Sequence, residues 1–473
     1  MHDGESRGRR YWCEWALLPD TAESHRLAVA ASPGVVLEER NGVLDAVHPE
    51  VPTPPAGAEP LRGLTLPGFA NAHSHAFHRA LRGRTSAGAE SFWGWRETMY
   101  RVAGRLTPES YYRLARAVYA EMACAGITCV GEFHYLHHTP GGTPYTDPNA
   151  MGTALLAAAQ DAGVRITLLD TCYLHGGLDT DGYQPLRGVQ HRFSDGSVHA
   201  WADRVARLAP TADHARIATA VHSVRALNRA QLTELVRLAT DHRAPGAAVD
   251  WGSPHIHLSE QPAENAACRA VHGRSPTQLL ADTGLLDRLH PVLVHATHLT
   301  DTDLGLLRHH QPRVCLCPTT ERDLADGLPR LGELAPGRIP LVLGTDGHST
   351  IDMIEEARAA EMNERLRTGH RGTLPAASAL TAATTAGHAA LGWPDAGHIA
   401  AGYRADLVTL DLTGVRTAGL DPARAADMVL AAAGTPDVTD VFVDGRRVVH
   451  DRTHQQLPNV AHTLDTTIKE LLA

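Results

Sequence analysis

Eight short apolar segments, each followed by a stretch with helical spacing, constrain this chain more than any other feature of its sequence. They run 64–73, 127–134, 165–172, 216–222, 254–259, 291–296, 312–317 and 339–345. Strands that alternate with helices run parallel, because each helical crossover returns the chain to the same end of the sheet. The helix starts are marked chemically: Thr107-Pro108, Asn149, Ser275-Pro276 and Asp352 each put a polar cap or a proline at a first turn. Eight such units predict an α/β fold built on a (β/α)8 TIM barrel, whose reactive groups stand at the C-terminal ends of the strands. A length of 473 residues suggests about three domains unless one is a barrel of roughly 250 residues.

The two ends of the chain read differently. Residues 11–18, 27–38 and 42–48 look like short strands joined by Pro-Gly and Asn-Gly turns, and Val51 to Pro60 is a Pro/Ala/Gly-rich linker. A similar β-rich pattern returns at Ala405 to Asp411 and at Asp440 to His450, a hairpin around Asp444-Gly445. The expectation is that both ends pair into one small β-sandwich. The domains are then 1–63 (first part of the sandwich), 64–398 (barrel) and 399–473 (second part and a C-terminal helix).

Charge narrows the partners. The net charge is −10, and no dense Lys/Arg run occurs in the body of the chain, which argues against nucleic acid or an acidic membrane and for a small molecule. Arg7, Arg9 and Arg10 precede no uninterrupted apolar segment, since Pro33 and Gly34 break Leu27 to Leu37, so neither a signal peptide nor a membrane span is expected. Seven scattered cysteines fit reduced thiols in the cytoplasm, and Cys315 and Cys317 read as barrel-interior residues. The single lysine, Lys469, excludes a two-metal site bridged by a modified barrel lysine. One ion is the simpler expectation.

Polar groups gather where the first apolar strand ends. Residues Leu66-Pro-Gly-Phe-Ala-Asn-Ala-His-Ser-His75 run an apolar strand into His73 and His75, two apart and therefore on one face of an extended chain. With 30 histidines in the chain, an H-x-H pair alone means little. Later strands add more: His255, His257 and Glu260 at the fifth, His295 and His298 at the sixth, Asp346 and His348 at the eighth. Three imidazoles and a carboxylate make a sensible zinc set, because a catalytic ion takes a few protein ligands and keeps one position for water. Singly, each has a plainer reading as a hydrogen-bonded barrel-mouth histidine or a turn aspartate.

The set H-x-H, H-x-x-E, a histidine on the sixth strand and an aspartate on the eighth resembles the amidohydrolase superfamily in its mononuclear deaminase branch. Four segments narrow the likeness. Tyr11-Trp-Cys-Glu-Trp-Ala16, Asn71-Ala-His-Ser-His-Ala-Phe77, Ser91-Phe-Trp-Gly-Trp-Arg-Glu-Thr-Met-Tyr100 and Gly131-Glu-Phe-His-Tyr-Leu-His-His138 are similar to the formimidoylglutamate deiminase family. The resemblance implies zinc-dependent deimination of N-formimino-L-glutamate in histidine breakdown, by a homodimer with one zinc ion per chain. It makes His73, His75, His257 and Asp346 the metal ligands. Asp346 also accepts the water's proton, His295 orients the water, and Glu260 carries a proton to the departing nitrogen. His78, Arg96, Tyr135, His222 and Arg225 are then implied to hold the substrate, whose two carboxylates suit the planar fork of arginine. His78 departs from the glutamine expected in some members. Thr319 to Gly327 is expected to cover the pocket, with Glu321 and Asp326 solvated. Two other readings share parts of this pattern: a zinc aminohydrolase acting on a purine or other heterocycle, and a barrel kept as a non-catalytic scaffold.

Overall fold

The apolar segments become strands of two sheets in the computed structural model, which describes residues 8–473 except 24, 85–91, 211, 245 and 335–338. Arg7 and Ser91 lie outside the described residues, as do the side chains of Phe92 and Trp93. The chain opens with β1 (Arg9–Ala16), β2 (Ser32–Arg40), β3 (Val43–His48) and β4 (Glu59–Pro67), then enters β5 (Phe69–Ser74), β6 (Ile127–His134) and β7 (Arg165–Cys172). A short hairpin, β8 (Gly177–Asp179) and β9 (Gly182–Gln184), precedes β10 (Ala215–Val221), β11 (Val249–Leu258), β12 (Val292–His295), β13 (Arg313–Leu316) and β14 (Leu341–Leu343). The chain ends on β15 (Leu407–Leu410), β16 (Val438–Val443), β17 (Arg446–His450), β18 (Thr453–His454) and a helix, Val460–Leu472.

Strands β5, β6, β7 and β10 to β14 form the parallel barrel sheet in chain order. A parallel bridge between Ser74 and Asp346 closes it at the mouth. β6 and β7 are buried at every position, as expected of parallel strands covered on both faces. Three of the four expected caps are present: Thr107 and Ser275 accept hydrogen bonds from Ser110 N and Gln278 N, and Asp352 accepts from Ile354 N and Glu355 N. Asn149 precedes its helix without capping it, because its side-chain amide donates to Arg204 O instead.

Both chain ends share the second sheet, in the order β18-β17-β16-β15-β4-β1-β2-β3. Tyr11, Val35, Leu37, Leu61, Leu407 and Phe442, from both ends, pack into one buried cluster. The segment 64–73, expected as one strand, is two. β4 pairs with β1 and β15, β5 pairs with β6, and the crossing falls at Gly68. A Cβ at Gly68 would stand 2.4 Å from the Thr128 side chain, so only glycine lets the chain change sheets this close to β6. An apolar run carries no mark of which sheet each half joins.

A buried ion pair ties the sheets together below the barrel. Arg165, the first residue of β7, donates to both carboxylate oxygens of Asp406 and, at 3.0 Å, to Asp444. Arg165 and Asp406 are fully buried, so removing one partner strands the other's charge in low dielectric. Arg165→Ala should therefore lower stability by about 3–5 kcal/mol, read from urea unfolding. Arg165→Met, which keeps the length but not the charge, should not restore it, and a loss below about 1 kcal/mol would show that the pair does not join the sheets.

Candidate active site

The site is assembled at the seam where the barrel closes. Along β5 and the residue after it, His73 and His75 face the barrel axis while Ser74 faces outward. His75 keeps an extended backbone, φ −125° and ψ 90°. Behind them, Ser74 Oγ donates to Glu132 at 2.7 Å and lies 3.1 Å from His348 Nε2, and Glu132 accepts the Ala76 N–H at 2.7 Å. The H-x-H segment is thus pinned from the rear. At the seam Asp346 N donates to His73 O (3.0 Å) and His75 N to Asp346 O (3.2 Å). The strands can approach because Gly344 has no side chain: a Cβ there would meet His73 at 2.7 Å.

Four donors converge. Asp346 Oδ1 lies 3.2 Å from Nε2 of both His73 and His75, and His257 Nε2 lies 3.1 Å from His73 Nε2. All four ligand atoms fall within 4.8 Å of one another, and all four residues are buried. Two of the three imidazoles have their tautomers set from outside. His75 donates its Nδ1 proton to Phe133 O and His257 donates its Nδ1 proton to His222 O, each at 3.0 Å, so both turn an Nε2 lone pair inward. Lone pairs and a carboxylate gathered this closely call for a cation between them, and the set suits a transition metal. Burial pushes His73 down to about 4 against the pull of Asp346, which favours the neutral, ligating form. Burial opposes the Asp346 carboxylate too, but the close imidazoles of His73 and His75 hold it well below the ordinary range. His255, one layer deeper on the same face of β11, is pushed by burial to about 3 and stands outside the group of four.

The proton-handling candidates stand beside this set. His295 ends β12 with its ring stacked on His257 at 5.6 Å. Burial presses its pKa down, but Glu321, Glu260 and Asp346 more than reverse this and bring it to about 10, so His295 meets the pocket as a hydrogen-bond donor. Glu260 accepts from Arg225 Nη2 at 2.7 Å, and Arg225 Nε lies 3.7 Å from Glu264. Burial would raise the Glu260 pKa; the Arg225 charge reverses that and keeps it ionised. Ser259, His295 and Asp346 all have left-handed backbones, with φ of 49°, 70° and 40°. Such conformations cost on the order of 1–3 kcal/mol each and cluster at functional sites.

Glu321 and Asp326, expected to be solvated, are both buried. The segment after β13 turns inward as a short helix, Pro318–Asp323. There Glu321 accepts the Cys317 N–H at 2.9 Å and reaches to 3.5 Å from His295 Nδ1. Asp326 accepts from the Gln261 side chain, and its carbonyl accepts from His298 Nε2 at 2.7 Å, which turns His298 away from the donor set. Burial first, and then the charge of Glu260, push the Asp326 carboxyl up to about 8.

His78, Arg96, Tyr135, His222 and Arg225 all line one cavity of about 1100 Å³ that also reaches His75, His257, Glu260, His295 and Asp346. His78 Nε2 is 3.2 Å from the Tyr135 hydroxyl, and His222 Nδ1 is 3.1 Å from Ser223 Oγ. Arg96 donates from Nε to the Tyr100 hydroxyl at 2.7 Å and from Nη2 to Gly176 O at 3.1 Å. Sequence reasoning missed Glu264, Tyr100, Tyr173 and Gln190, which line the same cavity. Tyr100 ends the family-like segment Ser91–Tyr100, which marks its neighbourhood but not its role; Glu264, Tyr173 and Gln190 come from segments without a metal-like or catalytic spacing.

A second group, His134, His137 and Asp170, also has ligand-like spacing. It does not suit an ion. Asp170 already accepts two hydrogen bonds from Arg204, at 2.8 and 2.9 Å, and one from Trp201 at 3.0 Å, while His137 donates to Thr171 O. The guanidinium supplies the positive charge a metal would bring.

The donor set makes a direct prediction. Asp346→Asn and His257→Ala should strip most divalent metal from the purified protein, whereas His298→Ala should keep it. Elemental analysis after gel filtration reads all three, and full retention by His257→Ala would refute the ligand set.

Residues 64–448 match the amidohydrolase family. The chain is 36% identical to the formimidoylglutamate deiminase of Pseudomonas aeruginosa, over 98% of this chain and 99% of that protein. It is 30% identical to the 5-methylthioadenosine/S-adenosylhomocysteine deaminase of Moorella thermoacetica, over 81% of each. Among solved structures, an amidohydrolase from Brucella melitensis superposes with a TM-score of 0.83 at 28% identity, covering 98% of this chain and 100% of that one. An adenosine deaminase from Xanthomonas campestris, solved with bound zinc, shares the fold with a TM-score of 0.77 at 24% identity, over 97% and 98% of the two chains. Fold and sequence agree over almost the whole length: this is a hydrolase acting on carbon–nitrogen bonds, and the chain belongs to the amidohydrolase family.

Proposed function

We propose that the chain hydrolyses N-formimino-L-glutamate to N-formyl-L-glutamate and ammonia, a step of histidine degradation. The observation that carries this reading is the cavity that joins His75, His257 and Asp346 of the four-donor set to Arg96 and Arg225. A substrate with two carboxylates needs such cations, and a neutral purine does not. The near-complete alignment with the Pseudomonas deiminase supports it.

One zinc ion held by His73, His75, His257 and Asp346 would supply a water whose pKa is lowered to about 7. The chain's own residues do the rest. His295 donates to the attacking oxygen and holds it against the formimino carbon. Ionised Glu260 takes the first proton and gives it to the imino nitrogen as the new C–O bond forms. Asp346 takes the second proton from the resulting hydroxyl. Delivered to the nitrogen, that proton lets the C–N bond break, so ammonia leaves and the formyl carbonyl remains. Arg225 has two tasks here, because the guanidinium that meets a substrate carboxylate also keeps Glu260 ionised. A reduced cytoplasmic setting, which seven free cysteines suit, and a homodimer complete the proposal.

A second reading, deamination of a heterocycle, draws on the cavity volume of about 1100 Å³, more than an acyclic dicarboxylate fills. Ammonia release from N-formimino-L-glutamate, guanine, cytosine and 5-methylthioadenosine separates the two. Turnover of the first alone is expected, and turnover of a heterocycle alone would overturn the proposal.

Two variants test the residue roles. Glu260→Gln should lower kcat about 10²–10⁴-fold. Arg225→Ala should raise KM and lower kcat together. It should also shift the acid limb of kcat/KM to higher pH. Without the guanidinium, burial raises the Glu260 pKa, so the carboxylate is protonated, and its acceptor form lost, at a higher pH than in the wild type. An acid limb that stays in place would show that Arg225 does not govern Glu260.

A further inference from the structure

One buried amide in the cavity wall has no part in the chemistry above. Gln190 lies in a short 3-10 helix, Gly188–Phe193, and is 4% exposed. Its Oε1 accepts the Arg187 N–H at 2.9 Å. Its Nε2 donates to the Tyr100 hydroxyl at 2.9 Å, to Gly176 O at 2.9 Å and to the Tyr173 hydroxyl at 3.3 Å. These partners come from separate parts of the chain: Tyr100 from the helix Phe92–Arg105, Tyr173 and Gly176 from the stretch after β7.

Arg96 donates to two of the same acceptors, Tyr100 Oη at 2.7 Å and Gly176 O at 3.1 Å. Gln190 and Arg96 therefore grip a common pair of oxygens, and Arg96 Cζ also sits 5.1 Å from the centre of the Tyr100 ring. An arginine side chain has several rotatable bonds and loses considerable entropy when fixed. Shared acceptors held by a buried amide fix it before any ligand arrives, which is how preorganisation raises affinity.

We infer that Gln190 is a positioning residue that sets specificity for a carboxylate-bearing substrate. Through Tyr100 and Gly176 it holds the Arg96 guanidinium in the orientation that receives a substrate carboxylate. This rests on the proposed deiminase activity for the identity of the ligand, but not for the geometry. Gln190 touches neither the four-donor set nor Glu260, so its loss falls on binding rather than on bond breaking.

Steady-state kinetics with N-formimino-L-glutamate and calorimetry with L-glutamate test the inference together. In Gln190→Leu, KM should rise about 10-fold or more, the scale of a lost hydrogen bond to a charged group, while kcat changes by less than about 3-fold. Tyr100→Phe removes a shared acceptor with little change of shape and should behave alike. The double variant should be no worse than the more affected single one, because both act through one network. Glutamate affinity should fall in step with KM. An unaltered KM in both single variants, a kcat that falls as much as KM rises, or additive effects would overturn the inference. A wild type that does not turn over N-formimino-L-glutamate removes the deiminase reading alone. Weaker glutamate binding in both variants would then still support the role of Gln190, and undiminished glutamate binding would overturn it.

Discussion

The seam between the first and last barrel strands is the constraint on which the rest of the molecule depends. Two backbone hydrogen bonds, Asp346 N to His73 O and His75 N to Asp346 O, close the barrel at its mouth. The same two bonds bring a carboxylate from residue 346 within 3.2 Å of imidazoles at 73 and 75. Barrel closure and assembly of the donor set are thus one event. Gly344 permits the approach, and the Ser74, Glu132 and His348 contacts hold the rear of the seam. Left-handed backbone at His295 and Asp346 is the conformational cost of aiming side chains inward from strand ends.

Around that seam the cavity balances charge by pairing. Arg225 faces Glu260 and Glu264, two buried carboxylates that would repel one another without it. Glu264 in turn accepts the N–H groups of Ser259 and Glu260, so the turn carrying Glu260, the proposed proton carrier, is held by a carboxylate from the following helix. A substrate carboxylate that binds Arg225, as proposed, enters a cluster already committed to two anions. In the proposed reaction, binding of charge and proton transfer are linked through that one guanidinium, while the second arginine, Arg96, donates to the Tyr100 hydroxyl and to Gly176 O.

Much of this was legible in the residues. Parallel strands buried on both faces leave continuous apolar runs, and capped helices leave polar or proline starts, so the barrel could be read by period and punctuation alone. His73 and His75 were legible because a two-residue spacing has a fixed geometric meaning in an extended chain. Gly68 was not, since a change of sheet depends on which neighbour each half meets, here Thr128. Glu321 and Asp326 looked like loop acids. They are buried because the segment after β13 folds back under the mouth, a path set by contacts with Gln261 and His298 rather than by local preference.

By itself the sequence determined the element types, the residue classes able to hold a cation, and, through a lone lysine, the exclusion of a lysine-bridged metal pair. Strand periodicity and side-chain chemistry are local properties, and they survive without coordinates. The tertiary structure alone decided that Arg225 is paired with Glu260 and that Gln190 and Arg96 share acceptors. Those outcomes depend on distances between segments far apart in sequence, and such distances follow from how the barrel closes.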